Sequence, residues 1–225
     1  MYKYIFLDID GTLLDFEKCA ENALNKTLDV FGVKHKGNVY PLYSKINSSY
    51  WKKLEKKEVT LPELRINRFV DFFEILETEV DIPAFNTMYN DNLSLQHVMM
   101  DGCIEILEYL KEKYILCVVT NGISSTQHSR LSVSGLEKYF DYLFISQEIG
   151  VNKPDIGFFE HCFKTANIKD KSEVLLIGDS LSSDMQGAKN AGIDKCWFNP
   201  EGVICDKDII FEYEIKSLYE IKDIL

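Results

Sequence analysis

Tyr4-Ile-Phe-Leu-Asp-Ile-Asp-Gly-Thr-Leu-Leu-Asp15 is the stretch from which the rest of the chain is read. The apolar run has the character of a strand buried on both faces, as in a parallel sheet, and it delivers Asp8 and Asp10 at its carboxyl end. Residues two apart on a strand point to the same face. Two like charges held side by side there are costly unless a cation, a proton or a phosphoryl group answers them. Asp and Gly are also ordinary turn residues, so Asp-x-Asp-Gly alone is equally compatible with a solvated turn. The remaining strand ends have to decide.

With 225 residues, 46% hydrophobic and 27% charged, the chain has the length and composition of a globular core with a smaller insert. A net charge of -11 argues against nucleic-acid polymers and anionic membranes, which reward clustered Lys and Arg. A small anion remains compatible with a local positive site. The six cysteines are dispersed, with no Cys-x-x-Cys and no Cys/His cluster, so neither a zinc site nor a redox pair is suggested. The N-terminus carries no signal-peptide pattern and no apolar run reaches spanning length. A cytoplasmic location is the expectation.

Periodicity divides the chain. Residues 1–15 and 97–225 alternate apolar strands with helices, whereas residues 16–96 are helical throughout. In the latter, Ala20, Ala23, Leu24, Thr27, Leu28 and Phe31 share one face, as do Phe69, Phe72, Phe73 and Leu76. Breaks around residues 32–37, 60–62 and 82–83 predict about four helices, with Thr60 and Glu63 placed as a capping box. The alternating part predicts strands at 114–122, 142–146, 174–180 and 195–198 and a short edge strand near 211–215. Helices are expected around Ile104, Leu107 and Leu110, from Ile156 to Ala166, from Met185 to Ala191 and at the C-terminus. The fold class is therefore α/β, a Rossmann-like doubly wound parallel sheet with an inserted all-helical domain.

In such sheets ligands bind beyond the carboxyl ends of the strands, near the switch in strand order. Those ends carry Asp8 and Asp10, then Thr120-Asn121-Gly122, then Lys153-Pro154, then Gly178-Asp179-Ser180 with Asp184 beyond. Carboxylates, carbonyls and water suit a hard cation such as Mg²⁺. A hydroxyl followed by backbone N–H groups cradles an anion, and a lysine supplies a compact positive charge. Each fragment alone fits an ordinary turn or cap; all four in this order, each at a strand end, point to phosphate chemistry.

At these residues the chain resembles the haloacid dehalogenase superfamily of phosphohydrolases, with Asp-x-Asp-Gly-Thr at 8–12, Thr120, Lys153 and Gly-Asp-x-x-x-x-Asp at 178–184 in family order. The insert resembles that family's mobile helical cap. Thr120-Asn-Gly, Ser146-Gln-Glu-Ile-Gly-Val-Asn-Lys-Pro154, Gly178-Asp-Ser-Leu-Ser-Ser-Asp184 and Cys196-Trp-Phe-Asn-Pro200 resemble its bacterial pyrimidine 5′-nucleotidase subgroup.

The resemblance implies Asp8 as nucleophile, forming an aspartyl phosphate. It implies Asp10 as the acid and base that serves the leaving alkoxide and then the attacking water. Mg²⁺ would be held by the Asp8 and Asp179 carboxylates and the Asp10 carbonyl. Thr120 with the N–H groups of Asn121 and Gly122 would hold the phosphoryl oxygens, Lys153 would orient Asp8 and offset its charge, and Asp184 would fix Lys153 or water on the metal. The expected partner is a pyrimidine mononucleotide, with Tyr43, Tyr50, Trp51 and Phe69 either stacking on its base or forming the core of the insert. Alternatives are a sugar-phosphate phosphatase, a phosphomutase, and a phospho-acceptor regulatory domain, in which the acyl phosphate persists.

Overall fold

Alternation along five apolar runs sorts their side chains onto the two faces of one sheet. In chain order, β1 (Tyr4–Leu7) is followed by the helices α1 (Phe16–Val30), α2 (Tyr40–Glu55), α3 (Leu61–Ile75), α4 (Ile82–Ser94) and α5 (Cys103–Lys111). Then come β2 (Ile115–Thr120), α6 (Ser124–Ser134), β3 (Tyr142–Ile145), α7 (Ser146–Ile149) and α8 (Ile156–Thr165). The chain continues through β4 (Val174–Gly178), a π-helical turn at Leu181–Met185, α9 (Gln186–Ala191), β5 (Asp194–Phe198), β6 (Tyr213–Ile215) and α10 (Ile221–Ile224). The computed structural model describes residues 1–205 and 208–225. It divides into two compact units, Met1–Phe16 with His97–Leu225, and Glu17–Gln96.

Among the described residues six strands lie in the order β3-β2-β1-β4-β5-β6, and every pairing of these strands is parallel. Ile5 and Leu7 of β1 join Leu116, Val118, Leu175 and Ile177 in one buried cluster with α5 and α6. Tyr4 and Phe6 join Cys117, Val119, Val174 and Leu176 in another with α8 and α9. Helices therefore cover both faces, which is why the strands read as continuous apolar runs. The chain winds outward from β1 through β2 to β3, then from β4 through β5 to β6, so the switch in direction falls between β1 and β4. Leu7 is level with Val118 and Ile177. Asp8, Thr120 and Asp179, one or two residues further on, consequently emerge side by side at the same edge.

Several sequence expectations shift. The buried face of α5 is Cys103, Ile106, Leu107 and Leu110, while Ile104 is 36% exposed. β4 ends at Gly178, so Asp179 and Ser180 begin the following turn. The helix α6 falls where no element is expected from sequence. Its buried residues are Thr126, Gln127, Arg130 and Leu131, three of them polar, so it carries no apolar stripe to be read.

The unit Glu17–Gln96 is built from α1–α4. Pro41, Pro62 and Pro83 stand in the first turns of α2, α3 and α4, where the missing N–H costs nothing. Tyr43 and Phe69 are fully buried and stacked at 5.4 Å, and Phe69 and Phe73 both pack edge-on against Phe85. Tyr50 is also buried and donates to Asp71. Tyr43 and Phe69 are thus spent on this unit's own core, which removes them as base-stacking residues. Arg68 is buried among them, donating to the Asn47 side chain at 2.9 Å with its guanidinium over the Phe69 and Tyr89 rings.

α3 starts at a full capping box. Glu63 N–H donates to Thr60 Oγ1 and Thr60 N–H donates to Glu63 Oε2. Thr60→Ala is expected to lower stability by about 1 kcal/mol, read as a lower urea midpoint at unchanged m-value. An unshifted midpoint would show that the box does not hold this helix start.

Candidate active site

The ammonium of Lys153, in the loop between α7 and α8, lies at the carboxyl edge of the sheet and is 1% exposed. Its three protons have three acceptors: Asp8 Oδ1 at 2.7 Å, Asp184 Oδ1 at 2.6 Å and the Val119 carbonyl at 2.7 Å. One side chain thereby ties together the ends of β1 and β2 and the turn after β4. Its backbone is held by Asn121, whose Nδ2 donates to the Lys153 carbonyl and whose Oδ1 accepts from the Lys153 N–H, both at 2.9 Å. The Asn121 side chain therefore positions the lysine.

Asp8, Asp179 and Asp184 each present an oxygen within 4.8 Å of the others. Glycine makes this approach feasible. A Cβ on Gly11, whose φ is +85°, would lie 2.5 Å from Asp179 Oδ2, and one on Gly178 would lie 2.5 Å from Asp184 Oδ2. Thr12 Oγ1 donates to Asp179 Oδ1 at 3.3 Å, and Trp197 Nε1 donates to the Asp179 carbonyl at 2.8 Å. Asp184 has both oxygens engaged, by Lys153 and by the Ser180 N–H, whereas Asp8 keeps one oxygen outside its bond to Lys153.

Three carboxylates, Asp8 and Asp184 buried and Asp179 partly buried, stand around one ammonium, and the surplus shows in the proton affinities of Asp8 and Asp179. Burial raises Asp8 well above the carboxylate range against the pull of Lys153, with Asp184, Asp179 and Asp10 adding to the rise. Burial, then the charge of Asp184, pushes Asp179 up to about 7. Burial works against the charge on Lys153, but Asp184 and Asp8 overcome it and hold the ammonium above its ordinary value. An all-oxygen donor set with excess negative charge fits a hard divalent cation of the Mg²⁺ type.

Thr120 closes the other side. Its Oγ1 accepts from the Gly122 N–H and from Gln127 Nε2, both at 3.0 Å. The Gly122 N–H, expected from sequence to face a phosphoryl oxygen, is engaged by this hydroxyl instead. Gly122 has a different use, since a Cβ there would fall 2.1 Å from Gln127 Nε2. Asp10 is held on both oxygens from α6: Gln127 Nε2 donates to Oδ2 at 2.6 Å and Arg130 Nη1 pairs with Oδ1. The sequence motifs do not single out Gln127 and Arg130. The signal available is two long polar residues spaced for one helix face, just after Thr120-Asn121-Gly122.

The raised Asp179 pKa has a signed consequence. The folded chain keeps this proton up to about pH 7, whereas the ordinary value is 3.8. Between these values the metal-free folded state binds more protons than the unfolded chain, so stability falls as pH rises. A cation requires the deprotonated form. Mg²⁺ added after chelation is therefore expected to raise Tm more at pH 8 than at pH 5, measured by calorimetry. An equal rise at both values, or none at pH 8, would contradict a cation site in this cluster.

Residues 4–198 match the family model for haloacid dehalogenase-like hydrolases. The chain is 36% identical over 225 residues to the pyrimidine 5′-nucleotidase PynA of Streptococcus pneumoniae, covering 100% of this chain and 95% of that protein. It is 29% identical to the pyrimidine 5′-nucleotidase YjjG of Escherichia coli, covering 100% and 98%. Among solved structures, the magnesium-bound HAD-hydrolase YfnB of Bacillus subtilis superposes with a TM-score of 0.94 at 32% identity, covering 100% and 98% of the two chains. The strand order, the edge at which the carboxylates and lysine gather and these full-length similarities agree: the chain belongs to the haloacid dehalogenase-like hydrolase family.

Proposed function

We propose that this phosphoric monoester hydrolase acts on pyrimidine nucleoside 5′-monophosphates, deoxy forms included, through an aspartyl phosphate on Asp8. The observation that carries the chemistry is the pair Asp8 and Asp10 at one strand end, held by different partners. Asp8 is bonded to the buried Lys153, whereas Asp10 is turned to Gln127 and Arg130. Two carboxylates in unlike surroundings suit unlike tasks.

In this reading a free oxygen of Asp8 attacks phosphorus in line as the ester oxygen departs. Asp10 hands a proton to the departing alkoxide, then takes one from the water that attacks the acyl phosphate, so inorganic phosphate leaves and Asp8 is restored. Lys153 orients the Asp8 carboxylate and offsets charge on the phosphoryl group. Thr120, whose Oγ1 already accepts two hydrogen bonds, has its own proton left to donate to a phosphoryl oxygen. Asp8, Asp179 and the Asp10 carbonyl would hold Mg²⁺, which lowers the repulsion between carboxylate and phosphate. Asp184, with both oxygens engaged, acts by fixing Lys153.

The substrate class is supported by the full-length similarity to two pyrimidine 5′-nucleotidases. The test is kcat/KM for dUMP and dTMP against dAMP, dGMP and a panel of sugar phosphates. The pyrimidine nucleotides are expected to lead the purines by about tenfold or more, since added bulk is rejected sterically. A sugar phosphate hydrolysed faster than any nucleotide would overturn the substrate class and leave the hydrolase chemistry standing.

A further inference from the structure

The helix α6 brings two polar side chains, each 1% exposed, against the reacting groups, and the steps above give them no task. Burying a glutamine amide and a guanidinium is costly unless their hydrogen bonds are made. Here Gln127 Nε2 and Arg130 Nη1 make theirs to the site. Gln127 Nε2 donates both to Asp10 Oδ2 at 2.6 Å and to Thr120 Oγ1 at 3.0 Å. Arg130 Nη1 pairs with the other Asp10 oxygen and lies 3.4 Å from Gln127 Oε1. The two residues stand three apart on one helix face, and Gly122 supplies the room that the Gln127 side chain occupies.

We infer that Gln127 and Arg130 are positioning residues that lock Asp10 and Thr120 into one arrangement, so that the proton-transfer group and the phosphate-binding hydroxyl move as a unit. With both oxygens held, the Asp10 carboxyl is fixed in one orientation. Proton transfer requires hydrogen-bond reach, and a misplacement of about 1 Å can cost about 10²-fold in rate. Thr120 is fixed in a complementary way. Two donors occupy its oxygen, so its own proton is left to donate.

The inference rests on the hydrolase reading but not on the identity of the natural ester, so the test uses aryl phosphates. Release of the alcohol in a single turnover reads the first half-reaction alone. Arg130→Met is expected to slow release from phenyl phosphate by about 10²-fold and to slow release from 4-nitrophenyl phosphate, which needs little protonation, far less. Arg130→Lys, which keeps the charge, should recover part of the loss. Gln127→Met should show the same dependence on the leaving group. It should also weaken competitive inhibition by inorganic phosphate about three- to tenfold, an effect absent from Arg130→Met. In an Asp10→Asn background, Arg130→Met should cost little more, because its partner is already altered. Equal slowing of both aryl esters, or losses that multiply in the double variant, would overturn the inference and leave Arg130 as a packing residue. Failure of every aryl ester with the unaltered enzyme would instead count against the hydrolase reading.

Discussion

The site depends on one buried ammonium. Lys153 is surrounded by carboxylate and carbonyl oxygens from three segments, and without it Asp8 and Asp184 would face each other unbalanced in a region of low polarity. Removing one partner of such a pair leaves a buried charge and typically costs about 3–5 kcal/mol. The arrangement is tolerable because every lysine proton has an acceptor and because Asn121 fixes the lysine backbone by a reciprocal pair of hydrogen bonds. It is still not neutral. Asp8, Asp184 and Asp179 outnumber the one ammonium, burial and then the charge of Asp184 raise the proton affinity of Asp179, and the surplus of carboxylates is what a divalent cation would answer.

The sheet explains why these groups meet. A parallel sheet whose order reverses beside β1 opens a crevice at the carboxyl ends of β1 and β4, and the level register places Asp8, Thr120 and Asp179 along it. Glycine at positions 11 and 178 lets the Asp179 and Asp184 carboxylates approach to distances that any Cβ would block. From the same edge, α6 reaches back to Asp10 and Thr120. The acidic cluster and the α6 contacts thus meet on one short stretch of backbone, Asp8 to Thr12.

Much of this was legible in the sequence because each of Asp8, Thr120 and Asp179 ends or directly follows a run apolar enough to read as a strand. The four helices α1–α4 were legible too, since their apolar residues recur at helical spacing and Thr60 with Glu63 marks the start of α3. What escaped was polar and buried. α6 has no apolar stripe because its inward face is Thr126, Gln127, Arg130 and Leu131, and periodicity detects only hydrophobic burial. The Asn121 clamp and the engagement of the Gly122 N–H by Thr120 are side-chain events inside a motif that reads as a turn. Tyr43 and Phe69 show the converse. Their helical spacing favours core and leaves ligand contact open, and their packing against each other and against Phe72, Phe85 and Tyr89 decides for core.

The central claim is that the Asp8 carboxylate becomes covalently phosphorylated. The direct measurement is to mix enzyme, Mg²⁺ and a phosphate monoester, quench in acid within a single turnover, reduce with borohydride and map the peptides by mass spectrometry. An acyl phosphate on Asp8 is converted to homoserine by this treatment, so the account predicts that residue at position 8 in samples quenched during turnover and aspartate there in unreacted enzyme. Turnover that proceeds with position 8 unmodified at every quench time, or with the modification on Asp10, Asp179 or Asp184, would contradict it.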